Sequence, residues 1–216
     1  MEILLISDRR LRPMERIWEH LPGAARAGLT GLMIREKDLP GGTLLGIARE
    51  AVARCRPLGI RVLINDRIDV ALAAGADGVH LGVVAIPVEA ARSIAGRRLT
   101  IGASTHSLEE LAEAARGGAD YATFGPVFET PSKEAYGPPL GVGALRAAAS
   151  SAPLPVLALG GVTPETAKRL AGSGIAGVAA ISAILLADDP ERAVREIAGA
   201  LSGAHGELRG ARRAAC

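Results

Sequence analysis

RVLINDRIDVALAAGADGVHLG, residues 61–82, contains the repeating unit of the whole chain. RVLIN (61–65) is a short apolar run without the polar alternation of a strand wetted on one face, so it reads as a strand buried on both sides. DRIDVALAAG (66–75) follows as a short helix with an acidic first turn, which suits the positive end of the helix dipole. The Gly-Ala-Asp at 75–77 stops that helix, and GVHL (78–81) is a second buried strand. A strand, a helix and a strand joined by loops this short build a parallel sheet.

The same unit recurs in both directions. Towards the N-terminus lie the strands ILLIS (3–7) and GLMIR (31–35), with helices MERIWEHLPGAARAG and TLLGIAREAVARCR after them. Pro22 and Gly23 are expected to break or kink the first of these helices. Towards the C-terminus, PVEAARSIAG begins with Pro87 as its first helical residue, and LTIGAS (99–104) precedes a helix whose Ser107 and Glu110 spell a capping box. DYATFG (120–125) runs into a long proline-rich loop, FGPVFETPSKEAYGPPLG (124–141). PVLALGG (155–161) leads to a helix with a Thr163 cap and Pro164 in its first turn, and GVAAIS (177–182) is the last strand before DPERAVREIAGALSG.

Eight such units predict a single-domain α/β fold, a (β/α)8 TIM barrel over residues 1–205, with 206–216 as a basic, flexible tail. A doubly wound open sheet is the competitor, but no GxGxxG opens the first helix and eight regular units are many for an open sheet.

Composition narrows the function. The net charge of +2 is too small to imply nucleic acid, and the scarcity of aromatics removes stacking platforms for single strands. Cys55 and Cys216 can form neither a disulfide framework nor a zinc site, which suits a reducing cytosol. The start, MEILLISDRR, lacks the pattern of a signal peptide and no run is long enough to span a bilayer, so the expectation is a cytoplasmic protein without membrane contact.

Active sites of such barrels lie at the C-terminal ends of the strands. There the sequence places Ser7, Asp8 and Arg9; Arg35, Glu36 and Lys37; Asn65, Asp66 and Arg67; His80; Ser104, Thr105 and His106; the long loop; Gly160 and Gly161; and Ser182. Each alone reads equally well as a cap or a surface charge, but nearly every strand contributes. Gly160, Gly161 and Ser182 suit a backbone phosphate cradle after strands seven and eight, since glycine admits close approach of the main chain. Arg35, Lys37 and Lys133 offer positive charge for a second phosphate group, and Asp66 offers an oxygen ligand for magnesium.

The segments LISDR, IREKDLP, INDRIDVALAAGADGVHLG, GASTHSLEE, DYATFGPVFETPSK, LALGGVTPE and GIAGVAAISAI together resemble the thiamin phosphate synthase and TenI-type thiazole tautomerase family along essentially the whole chain. The resemblance implies a role in thiamin biosynthesis, with small phosphorylated molecules as substrates. In the synthase, a hydroxymethylpyrimidine diphosphate loses pyrophosphate and a thiazole phosphate captures the pyrimidine cation. The resemblance places the diphosphate-holding cations on Arg35 and Lys37, with Asn65 and the magnesium-binding Asp66 beside them. It puts the strand-five serine on Ser104 and the loop positions on Thr130, Ser132 and Lys133. The thiazole phosphate site falls on Gly161, Ile181 and Ser182. The loop would close over the diphosphate, with Gly125 and Gly137 as hinges.

Two synthase positions differ. The family's second magnesium aspartate falls on Ala85, and its pyrimidine-holding glutamine on Met33, which is expected to fill space in the barrel. VFET resembles the tautomerase branch, whose loop carries an acid/base histidine, but that position is Pro126. His80 is expected to be a wall residue with a satisfied ring and His106 a first-turn helix residue. The expected activity is therefore synthase-type transfer with weakened magnesium binding. A tautomerase, or a protein that only holds thiazole or thiamin phosphate, is the alternative, and a homo-oligomer is compatible with either.

Overall fold

The structure, a computed structural model, describes residues 1–130 and 138–213, with side chains as far as 202. Eight parallel strands close into a barrel in chain order. They are β1 (Glu2–Ile6), β2 (Gly31–Ile34), β3 (Arg61–Asn65), β4 (Gly78–Leu81), β5 (Thr100–Thr105), β6 (Tyr121–Phe124), β7 (Val156–Leu159) and β8 (Gly177–Ala180). The ring closes where Leu5 of β1 pairs with Ala180 of β8.

Period two divides each strand between two cores. Leu4, Ile6, Met33, Leu63, Tyr121, Leu157 and Ala179 fill the inside of the barrel. Their neighbours, such as Leu5, Ile34, Ile64, Val79, Phe124 and Val178, face the helices. Met33 is thus a filler of the barrel interior, 1% exposed. Large side chains fit only where a facing residue is small. A Cβ on Gly102 would fall inside the ring of Tyr121 on the next strand, so this glycine makes room for the tyrosine.

The helices are α1 (Met14–Ala27), α2 (Gly41–Cys55), α3 (Ile68–Ala74), α4 (Val88–Ala95), α5 (Leu108–Arg116), α6 (Gly141–Ser151), α7 (Pro164–Ala167), α8 (Ser182–Leu185) and α9 (Pro190–Arg213). Pro22 does not end α1: the helix runs on to Ala27 and stops at Gly28, with φ 112°. Pro22 lies on the solvent side. Burial of Ile17, Trp18, Leu21 and Ala24 along the other face offsets the roughly 3 kcal/mol a helical proline costs. Gly23 is required for another reason, because a Cβ there would overlap the Glu191 carboxylate on α9.

Pro87 caps α4 from outside instead of opening it. The Thr163 capping box forms in full with Thr166 as its partner. At α5 only half of the box forms. Ser107 Oγ accepts from the Glu110 N–H at 3.2 Å, but the Glu110 carboxylate accepts from the N–H of His106, one residue before the cap, at 2.7 Å. The domain boundary read at residue 205 falls inside α9. No helix among the described residues is long and apolar enough to cross a membrane.

Candidate active site at the barrel mouth

All eight strands point the same way, so the described strand-end residues read from the sequence sit around one rim. The first arc belongs to β1 and β2. Glu36 is 4% exposed, and its carboxylate accepts from Ser7 Oγ (2.6 Å), the Arg9 N–H (3.2 Å) and Arg9 Nη1 (3.1 Å). Ser7 Oγ in turn accepts from the backbone N–H of Arg35 at 3.0 Å. The loops after β1 and β2 are therefore one hydrogen-bonded body, with Arg35 and Lys37 on either side of the buried Glu36. Outside it, Arg9 grips Asp38 with two bonds of 2.7 and 2.8 Å, which pulls that carboxyl down to about 2. The hydrogen-bonded Arg10, and more weakly Arg35, lower the pKa of Asp8.

The second arc belongs to β3 and β4. Asp66 has φ 60°, a left-handed backbone that is rare outside glycine, and the Arg67 N–H donates across it to the Asn65 carbonyl at 2.8 Å. This tight three-residue turn is a strained way to present a carboxylate, and such strain gathers at functional sites. Three contacts hold it: Asn65 Nδ2 donates to Oδ2 (2.7 Å), the Gly82 N–H donates to Oδ1 (2.7 Å), and Lys37 Nζ lies 3.7 Å from Oδ2. Asn65, Asp66 and Lys37 are thus brought together. Beyond Gly82 the loop is apolar, with Val83 and Val84 exposed and Ala85 in the turn.

The third arc runs from β4 to β6. His80 Nε2 lies 3.0 Å from Ser104 Oγ, and His80 Nδ1 lies 2.9 Å from the Tyr121 hydroxyl. Burial pushes the His80 pKa down to about 4, so the ring is neutral near pH 7, and burial also raises the Tyr121 pKa. Thr123, opposite Ser104 in the register, carries the one buried side-chain polar atom without a hydrogen-bond partner among the described residues. His106 is not in the first turn of α5 but one residue before its Ser107 cap, with Nδ1 3.2 Å from the Glu110 carboxylate.

The fourth arc joins the loops after β6 and β7. The Val127 and Phe128 N–H groups donate to the carbonyls of Leu159 (2.9 Å) and Gly160 (3.1 Å). Gly160 and Gly161 have φ of 96° and 64°. A Cβ on Gly160 would lie 2.6 Å from Pro126 Cα, and one on Gly161 would lie 2.7 Å from Phe128 Cβ. The close approach that these glycines permit is therefore made first by the neighbouring loop. Their own N–H groups donate to no other described residue. Ile181 precedes α8 and packs partly into the barrel core, and Ser182 is the exposed first residue of that helix. Thr130 ends the first described part of the long loop, while Ser132, Lys133 and Gly137 lie outside the described residues.

Sequence reasoning found the rim but missed three devices: the buried role of Glu36, the turn at Asp66 and the chain from Tyr121 through His80 to Ser104. Only the last had a signal, a tyrosine at an inward position of one strand beside a glycine of the next.

A search for relatives agrees with this geometry. Residues 3–184 match the family model described as thiamine monophosphate synthase. The chain is 42% identical over 195 residues to the thiamine-phosphate synthase of Chlorobium luteolum, covering 90% of each chain. It is 38% identical to the thiamine-phosphate synthase of Roseiflexus castenholzii over 90% of this chain and 86% of that one. Among solved structures, the thiamine phosphate pyrophosphorylase from Pyrococcus furiosus superposes with a TM-score of 0.84 at 35% identity, covering 94% of this chain and 96% of that one. A closed eight-stranded barrel, a rim of cations, hydroxyls and glycines, and these matches over nearly the full length place the chain in the thiamine monophosphate synthase family.

Proposed function

We infer that the chain is a thiamin phosphate synthase-type transferase of the cytoplasm, joining hydroxymethylpyrimidine diphosphate to thiazole phosphate with release of pyrophosphate. One observation carries the reading: Arg35, Lys37, Asn65 and Asp66 share one side of the mouth, while Gly160, Gly161, Ile181 and Ser182 share the other. Basic side chains on one side of the opening and backbone N–H groups on the other suit two phosphorylated substrates.

The chemistry follows from the charges. The C–O bond between the pyrimidine methylene and the diphosphate breaks, and the diphosphate leaves with the electron pair. The thiazole nitrogen then donates its lone pair to the methylene carbon, giving a thiazolium, so no general base is needed. Arg35 and Lys37 meet the charge that builds on the leaving oxygens, the kind of electrostatic stabilisation that is usually the largest catalytic contribution. Lys133, Thr130 and Ser132 take the loop roles that the family resemblance gives them. Ser104 contacts the pyrimidine diphosphate, and the N–H groups of Gly160 and Gly161, which donate to no other described residue, receive the thiazole phosphate with Ser182.

Magnesium fits in a limited way. Asp66 uses one lone pair of each oxygen on Gly82 and Asn65 and keeps others for a hard cation, but Ala85 supplies no second carboxylate. No cluster of three or more metal-ligating side chains occurs among the described residues. Asp66 suits an ion carried in by the diphosphate, which would neutralise charge on the leaving group.

A tautomerase would need a proton carrier where Pro126 stands, and His80 and His106 are engaged elsewhere. The test is the coupled assay with both substrates, with and without magnesium. Thiamin phosphate formation is the expected result. Turnover of a carboxythiazole tautomer without any coupling would reject the reading.

A further inference from the structure

A serine hydroxyl can donate or accept, and which it offers to a substrate depends on what stands behind it. Behind Ser104 stand two buried groups in line, His80 (3% exposed) and Tyr121 (7%). An imidazole buried with a hydroxyl against each nitrogen is held as the neutral ring, so one nitrogen carries a proton and the other a lone pair. The line then has two possible polarities. In one, the Tyr121 O–H donates to Nδ1 and the Nε2–H donates to Ser104 Oγ. In the other, Ser104 donates to Nε2 and the Nδ1–H donates to Tyr121.

The tyrosine decides between them. In the second polarity its own proton would need a further acceptor inside the barrel. Among the described residues the Tyr121 hydroxyl has no hydrogen-bond partner except His80. A buried donor left unmet biases the equilibrium by roughly a factor of ten or more. The packing is built for the first polarity, because the bare Gly102 admits the tyrosine ring between β5 and β6 and brings its hydroxyl to His80. Ser104 itself is only partly buried and faces the mouth.

We infer that Tyr121 and His80 act as a one-way positioning relay that donates to Ser104, leaving the Ser104 proton for an acceptor on the substrate. That acceptor must offer a lone pair, as an anionic oxygen of the diphosphate or a bare ring nitrogen of the pyrimidine does. This last step rests on the synthase reading, whereas the polarity of the relay does not.

The experiment is 15N NMR of histidine-labelled, full-length protein near pH 7.5, with the His80 signals identified by their loss in His80→Gln. The expected state is protonated Nε2 with bare Nδ1, and a protonated Nδ1 overturns the relay. Tyr121→Phe keeps the ring and removes the donor. It should weaken or abolish the single-tautomer signal and lower kcat by roughly 3- to 10-fold, with the KM for thiazole phosphate unchanged. An unchanged kcat would overturn the relay's part in catalysis, and so would an equal loss in both parameters, the mark of a merely structural tyrosine. Wild-type protein with the Nε2–H signal but no coupling activity would count against the synthase reading and leave the relay standing.

Discussion

Gly160→Ala is the sharpest test of how the mouth is assembled. Two costs add. The first is backbone strain, since φ is 96° at this position and a left-handed residue with a Cβ costs about 1–2 kcal/mol. The second is overlap with Pro126 Cα and Cβ, each 2.6 Å from the new methyl. Neither atom is the end of a flexible side chain, so relief needs a backbone shift, and overpacking of that kind costs about 1–3 kcal/mol. Together the loss is about 2–5 kcal/mol. Gly172→Ala is the control: φ is 69°, but nothing lies within 4 Å of its Cβ position, so only the strain of about 1–2 kcal/mol remains. For a chain of this size each kcal/mol moves Tm by about 2–4 °C, so Gly160→Ala should melt on the order of 10 °C low, and Gly172→Ala by about half as much or less. Urea and thermal unfolding without ligand measure both. Equal losses in the two variants would show that the loop contact at Pro126 contributes nothing, and the packing account of the glycine pair would fail.

Other consequences are as direct. Ala85→Asp adds a second carboxylate to the loop whose Gly82 holds Asp66 and should tighten magnesium binding in the presence of pyrophosphate by roughly tenfold or more; unchanged calorimetric titrations would place the ion elsewhere. Lys37→Ala should lower kcat at least about tenfold while leaving thiazole phosphate affinity alone. Equal loss of both would contradict its place on the diphosphate side. Acid stability should carry the mark of His80. Its folded pKa of about 4 lies below the ordinary 6.5, so the unfolded chain binds the proton first. The contribution is therefore complete above pH 6.5 and is lost as pH falls towards 4, about 3 kcal/mol in all. Denaturation of His80→Gln across that range should show a shallower slope than wild type.

The barrel was legible because its strands are short, apolar and evenly spaced, and because glycines mark where helices stop; both are local properties. The rim was legible for the same reason, since a residue one or two places beyond a strand must sit at its end. What the sequence hid depends on partners far along the chain. Glu36 reads as one more rim charge, yet its carboxylate turns to Ser7 and Arg9, 29 and 27 positions away. Asp66 bears no sign of a left-handed backbone, because the residue that usually announces one is glycine. Pro22 shows the opposite case: its local signal does not break the helix, whose buried face carries it on to Ala27. Gly160 and Gly161 read as glycines that admit a close neighbour, and the neighbour they admit is the chain itself.

The bonding between the segments after β6 and β7 has a practical consequence for redesign. Pro126, Val127 and Phe128 lie against Leu159, Gly160 and Gly161 through two main-chain bonds and glycine-sized gaps. Grafting either segment alone from a cousin barrel would set a foreign contour against a surface shaped for the native one. Recombination libraries should therefore carry the pair as a single cassette, with crossover points in α5 and after α7, so that the mutual fit is inherited whole.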